Sequence, residues 1–507
     1  MESEPSFANA NESGAIEPSA HQQPHKWLVA ASVLLGAILT LLDGSIVNVA
    51  LPYMQRSFSV GVDRISWVVT SYLAAVSVMI PMSGWIAVRM GRRRYLLISV
   101  AMFVAASALC GLARSIGQII VFRVMQGLAG AAMMPLSQAI MLETFPVEEH
   151  TLAMTTFGIG MMAAPVIGPT LGGWITESFS WRWNFYINVP VGSLAAIMVY
   201  AYVHDPLYLS AQRRGARVDY LGIILITAAL ATFQIVLGRG GHDGWFAAPW
   251  VRYTVMLSVL STVGLIVHEL HYPEPIVDLR LFGIMSFSVG VGLLSLQGLA
   301  LWTVNLLNPL FLENVLHYDA WSAGLAVAPR GLGVVIALLA VGQLSRRYSD
   351  MRPIVCVGFL IGAYQAYRMS QWTLDTHESE VLLPIFLFGV GLGAIFPIVT
   401  ALAVGQINRE RIGFASSLFS MMVNTGAAAG IAIATNLLTA SHRRHEAQIL
   451  TSRSSSALYT NVLKSQAWLL AYNDVYRITA ILLLLLCPWA FFLRRAPANT
   501  DTTLGVE

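Results

Sequence analysis

The chain has 507 residues, of which 56% are apolar and only 11% carry a charge. A soluble globular protein has about 25% charged residues, so this chain lacks the charge to cover a water-facing surface, and that class is excluded. The net charge of +3 is too small to indicate a nucleic-acid partner.

The first 26 residues are polar and rich in Glu, Pro, Ser and Gln, which predicts a disordered cytoplasmic tail. An apolar run begins at Trp27. It is too long for a signal peptide, and no small-residue cleavage site follows it. We therefore expect a retained first membrane span.

Apolar runs long enough to cross a bilayer recur along the rest of the chain, since a spanning helix needs about 20 such residues. The sequence predicts an all-α integral membrane protein with fourteen spans. They lie near 27–53, 65–86, 95–113, 117–141, 151–176, 184–203, 218–238, 250–270, 286–312, 321–345, 353–369, 381–404, 412–438 and 476–493.

Arginines cluster in loops that this count places on one side. The clusters follow spans 2, 6, 10, 12 and 14 and lie at 89–94, 213–217, 346–352, 409–411 and 494–495. Basic loops stay in the cytoplasm, which places both termini there. The loop after span 4 runs against the trend with Glu143, Glu148 and Glu149.

The chain also repeats itself. Small residues and prolines of spans 4 and 5 recur in spans 12 and 13, and the loop after span 2 recurs after span 10. Two homologous halves around a midplane site are typical of secondary transporters. We predict a six-helix bundle at 27–205, two linker helices at 206–275, a second bundle at 276–495 and a cytoplasmic tail at 496–507.

Two ionisable residues lie at membrane depth, where a charge is costly and indicates function. By helical rise, Asp43 is about 15 Å and Arg123 about 9 Å from the outer end of its span, and an arginine side chain could bridge the difference. One interpretation is a fixed structural ion pair. The other is a carboxylate that carries a proton, with an affinity set by burial and by the arginine.

Other polar residues in the spans are candidates for a substrate cavity. Arg330 follows Pro329 at a depth of about 14 Å; it either lines the cavity or contacts helix carbonyls. The uncharged candidates either line the cavity or join helices by hydrogen bonds. They are Asn48, Gln126, Gln138, Asn305, Asn308 and Asn424.

The sequence lacks the signatures of metal or nucleotide chemistry. Cys110, Cys356 and Cys487 lie in separate apolar runs, which predicts packing roles and neither a disulfide framework nor a metal cluster. His442 and His445 lack the spacing of a zinc hydrolase, and no Gly-rich phosphate loop is found. We predict no metal, no cofactor and no ATP-driven step.

Several motifs together resemble the major facilitator superfamily, and within it the fourteen-span drug:proton antiporters of the EmrB/QacA type, with the EmrB-like branch as the nearest match. They are Leu42–Pro52 in span 1, Arg123–Gly127 in span 4, Gly160–Gly173 in span 5 and Trp181–Pro190 before span 6. The resemblance covers about 27–495. It implies two six-helix bundles plus two inserted helices, and export driven by the proton gradient.

The resemblance also assigns gating roles. The loop after span 2 matches the family's gate motif at Gly84, Arg89, Gly91 and Arg92, but Val88 stands where the family usually has an aspartate that helps latch the cytoplasmic gate. The small-residue seam of span 5 is similar to the motif found in antiporters and missing from symporters. Its residues are Pro165, Gly168, Pro169, Gly172 and Gly173. Close helix packing is its immediate role; sealing against proton leak is implied by the resemblance alone.

The resemblance further implies hydrophobic or amphipathic small-molecule substrates, protons, and no nucleic acid as partners. The polar segment 441–475 is predicted to be an extracytoplasmic loop, either without fixed structure or a contact site for an EmrA-like periplasmic adaptor that joins an outer-membrane channel. We expect a multi-pass protein of the bacterial inner membrane that is not an enzyme.

Three alternatives stay open at this stage. The first is a dedicated exporter of one endogenous metabolite or siderophore, which would compete with few compounds. The second is a membrane-embedded enzyme, which would need an intramembrane nucleophile or a metal cluster. The third is a non-transporting sensor, which usually adds a soluble output domain.

Overall fold

The computed structural model describes residues 25–65, 67–205, 219–241, 244–273, 275–318, 320–348, 350–452 and 460–494. Throughout these ranges the regular structure consists of α-helices and short 3-10 turns, without strands. The predicted tails at 1–26 and 496–507 fall outside the described residues, apart from His25 and Lys26, where the first helix begins. The all-α fold class is confirmed.

The first half begins with a helix of 33 residues that contains Asp43. Span 4 is divided between two helices, as is span 6. The helices are α1 (Lys26–Phe58), α2 (Val62–Ile65), α3 (Trp67–Met90), α4 (Arg92–Leu112), α5 (Ile116–Gly130), α6 (Met133–Thr144), α7 (His150–Ser178), α8 (Trp183–Tyr186) and α9 (Asn188–Tyr202).

Two inserted helices precede the second half, which repeats the pattern of the first. The inserted pair is α10 (Tyr220–Arg239) and α11 (Pro249–His271). The second half contains α12 (Met285–Asn314), α13 (Ala320–Val327), α14 (Pro329–Leu344), α15 (Arg352–Met369), α16 (Glu378–Gly393), α17 (Ile395–Val404), α18 (Ile412–Ser452) and α19 (Thr460–Leu486). Helices α10 and α11 pack on each other, and α10 also contacts α3 and α18.

Twelve helices among the described residues are long and apolar enough to cross a membrane, so the predicted count of fourteen is not confirmed. The two predicted spans outside this set fall on α7 and α15. Helix α15 has 18 residues, with an arginine in its first and last turns. At 1.5 Å per residue it is about 27 Å long, slightly short of a hydrocarbon core.

The segment 441–475 is not an open loop where the structure describes it. Helix α18 continues to Ser452, and α19 already begins at Thr460. His445 hydrogen-bonds with Asp474 at 2.8 Å, and the His442 ring stacks on Trp468 at 3.8 Å. The polar residues therefore lie on helical extensions that are joined by side-chain contacts.

The internal repeat is visible in two matching helix seams. In the first half Gly172 of α7 packs against α1, where a methyl group would lie 3.0 Å from the Cα of Ile46. In the second half Gly426 and Gly430 of α18 pack against the backbone of α12. Both seams need small residues because the helix backbones approach closely.

Two cysteines depart from the prediction. Cys356 of α15 and Cys487, just after α19, form a disulfide with a Cα–Cα distance of 4.6 Å. Cys110 is a buried free thiol, as predicted for a packing residue. The two cysteines are far apart in sequence and come together only because α15 and α19 pack side by side. The sequence alone therefore did not indicate the pair.

The two halves touch on the side that the loop charges assign to the cytoplasm. Phe157 of α7 stacks with Phe396 of α17 at 6.4 Å. Ser420 of α18 donates a hydrogen bond to Gln138 of α6 at 3.2 Å. Each of these residues lies within a few turns of the cytoplasmic end of its helix. The cytoplasmic side of the interface is therefore closed.

Candidate functional site

Asp43 lies at the centre of a closed polar cluster inside the first half. Its side chain is fully buried, and Arg123 is 1% exposed. The Arg123 Nη1 donates to the Asp43 Oδ2 at 2.6 Å, while Gln126 and Asn188 donate to the Oδ1 at 2.9 and 2.8 Å. Helix α5 contributes the arginine and the glutamine from one face, since they are three residues apart. Three donors thus compensate one buried carboxylate.

Arg123 has contacts beyond the ion pair. Its Nη1 donates to the Gln126 Oε1 at 2.7 Å, and its Nε donates to the Val68 carbonyl at 3.1 Å. The guanidinium also lies over the Tyr72 ring, 4.1 Å from the centroid. A cation over an aromatic face is stabilised electrostatically. The arginine therefore keeps several partners if the charge on Asp43 is neutralised.

Sequence reasoning missed two members of the cluster. Asn188, at the start of α9, donates to both Asp43 and the Ser107 Oγ at 2.8 Å. Ser107 of α4 also accepts from Gln126 at 3.0 Å. Neither residue carries a charge, so depth alone does not single it out. Asn188 does lie in Trp181–Pro190, the motif quoted above.

The predicted cavity residues separate into different environments. Gln126 joins the Asp43 cluster. Gln138 is buried and bonds to Ser420, so it joins the two halves. Asn48 and Asn424 are exposed. The structure therefore does not gather these residues around one site.

The second half holds the remaining candidates. Asn308 of α12 is buried and accepts a 2.7 Å hydrogen bond from the Tyr476 hydroxyl. Asn305, on the same helix, is half-buried. Both residues lie within the second bundle. Asn308 therefore joins α12 to α19.

Arg330 lies in the first turn of α14, away from the exposed face of that helix. The exposed face is formed by Leu332, Ile336 and Leu339. The Arg330 Nη1 is buried and has no hydrogen-bond partner among the described residues. The Arg330 backbone packs tightly against Gly389 of α16. A partly uncompensated cation at membrane depth is a functional candidate.

The antiporter-like seam of α7 packs on the helix that carries Asp43. Gly168 contacts Ser45, and Gly173 lies near Val49. The side chains of Pro165 and Pro169 lie outside the described part of the chain. The seam therefore fixes the position of the part of α1 that directly follows Asp43. Its role in sealing stays a prediction.

The gate motif lies at the closed cytoplasmic interface. A methyl group at Gly84 of α3 would lie 2.8 Å from both the Gly413 carbonyl oxygen and the Ser417 Oγ of α18. Gly91 has a φ of 88°, which only glycine adopts readily. The Arg89 guanidinium lies over the Trp85 ring at 4.3 Å. The motif therefore allows close contact between α3 and α18 and a sharp turn into α4.

The acidic exceptions to the basic loops have basic partners. Arg92 is 1% exposed and forms an ion pair with Glu143 at the end of α6. Glu149 pairs with Lys26, with an Nζ–Oε2 distance of 2.6 Å. The loop after span 4 is thus acidic because it pairs with the basic starts of α1 and α4.

Among the described residues, no group of three or more His, Cys, Asp or Glu side chains could hold a metal ion. An open apolar hollow of about 410 Å³ lies along α7, lined by Ile167, Thr170, Leu171 and Trp174. None of these four is a predicted cavity residue.

Comparison with known families agrees with this architecture. The family model described as Major Facilitator Superfamily matches residues 33–431, and a second, overlapping match covers 296–505. Together the two matches cover both halves and the inserted helices.

Curated relatives are similar over most of their length. The multidrug export protein EmrB of Escherichia coli strain K12 is 31% identical over 430 residues, covering 84% of this chain and 82% of that protein. EmrB of Haemophilus influenzae is 28% identical, covering 90% and 93%. The fatty acid resistance protein FarB of Neisseria gonorrhoeae is 29% identical, covering 91% and 94%.

A solved structure supports the fold independently. The human organic anion transporter MFSD10 (TETRAN) superposes with a TM-score of 0.63 over 93% of this chain and 100% of that chain. The sequences are 15% identical, so the match concerns the fold alone. With twelve helices able to span a bilayer in the part of the chain that the structure describes, the chain is a multi-pass membrane protein of the transporter type.

Proposed function

The chain belongs to the Major Facilitator Superfamily, and we propose that it is a proton-coupled multidrug exporter of hydrophobic or amphipathic compounds across the bacterial inner membrane. The observation that carries this proposal is the fully buried Asp43–Arg123 pair, in a chain related to named multidrug export proteins. The gradient, and no bound cofactor, would drive the transport.

The cluster offers a physical basis for proton coupling. A buried carboxylate favours its neutral form unless charges or donors compensate it. Three donors compensate Asp43 in the conformation that is closed to the cytoplasm. A change in the α1–α5 contact would weaken those bonds and change the affinity of Asp43 for a proton. Asp43 would carry the proton, and Arg123 would tune its binding.

A panel of dyes in inverted vesicles tests the proposal directly. Vesicles that contain the protein should accumulate several unrelated lipophilic compounds when a proton gradient is applied, and a protonophore should abolish this uptake. Uptake of only one compound class would favour the alternative of a dedicated exporter of a metabolite or siderophore. Vesicles that transport none of the panel under either condition would contradict multidrug export.

The charge of Arg330 indicates which substrates the protein handles best. Among the described residues, the charges placed at membrane depth are one carboxylate, Asp43, and two arginines, of which Arg123 is paired and Arg330 has an unpartnered Nη1. This balance disfavours dications, because like charges repel strongly where the dielectric constant is low. Neutral compounds and lipophilic weak acids fit it better.

We expect Arg330→Gln to reduce transport of a lipophilic weak acid by about tenfold, which corresponds to the loss of one charge-assisted hydrogen bond. Transport of a neutral dye should change little. The measurement is competition by each compound in inverted vesicles, with Arg330→Lys as the control that retains the charge. Better export of dications than of weak acids by the parent protein would contradict the proposed preference.

An adaptor partner is a further part of the proposal. The extensions of α18 and α19 form a paired helical segment beyond the apolar part of the bundle, with Arg443 and Arg444 exposed on it. Such a surface could bind a periplasmic adaptor of the EmrA-like type, which would connect to an outer-membrane channel. The supporting features are the contacts that order this segment and its position on the outer side.

We expect reversal of both exposed charges, Arg443→Glu with Arg444→Glu, to lower drug resistance in cells. Proton-driven uptake in vesicles should be unchanged, because the bundle is not altered. The matched control is Arg346→Glu with Arg347→Glu on the cytoplasmic side. This control should not lower resistance in cells while leaving uptake in vesicles unchanged. Equal loss of both activities in the Arg443/Arg444 variant would indicate a structural role for the segment.

A further inference from the structure

Every hydrogen-bond partner of the Asp43 carboxylate among the described residues is a donor. Its Oδ2 accepts from Arg123, and its Oδ1 accepts from the amide nitrogens of Gln126 and Asn188. Such a set stabilises the charged carboxylate. A proton on Asp43 needs an acceptor instead, because a buried O–H group without one is costly. Proton binding therefore requires one of the three partners to change its role.

Ser107 fixes the orientation of both amides. Its hydroxyl donates to the Phe185 carbonyl at 3.1 Å, so its oxygen has only acceptor sites left. Those two sites are filled by the Gln126 and Asn188 amides at 3.0 and 2.8 Å. Both amides must therefore present their NH2 groups to Ser107 and to Asp43. The network in this form matches a proton-free Asp43.

Two of the three partners cannot become acceptors at low cost. The Arg123 guanidinium has no acceptor atom at all. The Gln126 Oε1 accepts from the Arg123 Nη1 at 2.7 Å and from the Cys110 thiol at 3.8 Å. Turning the Gln126 amide would break both contacts and set its NH2 group against the guanidinium. These two side chains therefore stay donors whatever the charge on Asp43.

Asn188 differs because one atom of its amide is idle. The side chain is fully buried, and its Oδ1 has no hydrogen-bond partner among the described residues. Rotation of the amide by half a turn exchanges Oδ1 with Nδ2 and breaks no bond at Oδ1. The oxygen then takes the place of the nitrogen, which lies 2.8 Å from the Asp43 Oδ1. The Ser107 hydroxyl can rotate to donate to the same oxygen.

No other titratable group offers Asp43 an acceptor in the part of the chain that the structure describes. The groups that face it are Arg123 on α5, Tyr72 on α3 and Cys110 on α4. The Tyr72 ring contacts the Arg123 guanidinium, and the Cys110 thiol donates to the neighbouring amide. Neither side chain hydrogen-bonds to the carboxylate. Asn188 is therefore the remaining acceptor.

We propose that Asn188 is the positioning residue for the coupling proton: its amide donates to Asp43 when the carboxylate is charged and turns over to accept from it when the proton is bound. Only side chains move, so the proton can bind while the cytoplasmic side is still closed. Because Asn188 begins α9, the protonation state of Asp43 also reaches a helix other than α1 and α5. The inference rests on the proposed function, in which Asp43 carries the proton.

Infrared difference spectroscopy of the reconstituted protein tests the turnover without any substrate. The band of the protonated Asp43 carboxyl group, identified by its absence in Asp43→Asn, should grow as the pH is lowered. Asparagine labelled with 13C at its side-chain carbonyl marks the amides. One labelled band should shift at the pH at which Asp43 gains its proton, and Asn188→Leu should lack this shift. A parent protein in which Asp43 titrates and no labelled band shifts with it would overturn the inference.

The direction of a second shift separates turnover from simple tuning. In Asn188→Leu the charged carboxylate keeps Arg123 and Gln126, but the protonated form loses its only acceptor. The pH of half-protonation should therefore fall by about one unit, a tenfold loss of proton affinity. If Asn188 only donated, its loss would raise that pH, so a rise or no change would overturn the inference.

Asn184→Leu is the matched control. Asn184 lies in the same segment and is also fully buried, and its Oδ1 likewise has no partner among the described residues. Its Nδ2 donates to the Thr176 Oγ1 at 2.6 Å and not to Asp43. This variant should leave the titration of Asp43 unchanged. A fall equal to that of Asn188→Leu would indicate general loosening of the bundle and overturn the inference.

Failure of the inference can be told apart from failure of the proposed function. If no band that depends on Asp43 titrates, Asp43 does not carry the proton, and both proposals are wrong. If Asp43 titrates but vesicles take up none of the dye panel, the proposal of multidrug export is wrong and the assignment of Asn188 stands.

Discussion

The variant Asp43→Asn is expected to bind substrate but to lose all accumulation against a gradient. Asparagine keeps the size and one acceptor oxygen, so Gln126 and Asn188 retain a partner, but the titratable charge is gone. Without a proton to exchange, the gradient cannot drive export. Substrate addition should release protons from the detergent-solubilised parent and none from the variant.

A double variant separates proton carriage from structural pairing. Loss of one partner of a buried ion pair costs about 3–5 kcal/mol, because the other charge is stranded. Combining Asp43→Asn with Arg123→Gln removes that charge and should restore thermal stability. We expect no return of gradient-driven transport. If the double variant transports with a gradient, Asp43 is only structural and the proton site lies elsewhere, with Glu143 of α6 and Glu313 in the last turn of α12 as the next carboxylates to test.

The Asp43 cluster was predictable in part because membrane depth makes charge conspicuous. Asp43 and Arg123 are charged residues at membrane depth, where a charge is costly, and helical rise placed them within reach of each other. Asn188 and Ser107 were not predictable this way, because uncharged polar residues are also common where they only join helices. Gln138 was predicted as a cavity residue for the same reason, but it joins the two halves by a hydrogen bond with Ser420.

The errors in the fold prediction also have physical causes. Helix α18 continues through polar residues after Ser441, since hydropathy detects the membrane boundary and not the end of a helix. Cys356 and Cys487 are 131 residues apart, so their pairing depends on tertiary packing of α15 on α19. The count of fourteen spans is not confirmed, since α7 and α15 are not among the twelve apolar helices, and terminal arginines shorten the apolar part of α15.

The ion pair between Arg92 and Glu143 should be the most sensitive contact on the cytoplasmic side. Arg92 is 1% exposed and the Glu143 side chain is 8% exposed, so little water reaches either charge. Glu143→Gln leaves the guanidinium buried beside the N-terminus of α18, where the helix dipole adds to its cost. We expect a loss of about 3–5 kcal/mol in stability of the closed state.

The lost stability of the closed state should appear as opening of the cytoplasmic gate, and not only as unfolding of the protein. In inverted vesicles, a reporter cysteine at the contact with Gln138, Ser420→Cys, should react faster with a membrane-impermeant maleimide in the Glu143→Gln variant than in the parent, because the variant strands a full buried charge. Adding Arg92→Gln should reverse most of the effect, since no buried charge then remains unpaired. The matched control is Glu148→Gln, which removes an exposed carboxylate from the loop that follows α6. If the double variant labels as fast as Glu143→Gln, the pair does not hold the gate, and contacts such as Gly84 with Gly413 must do so alone.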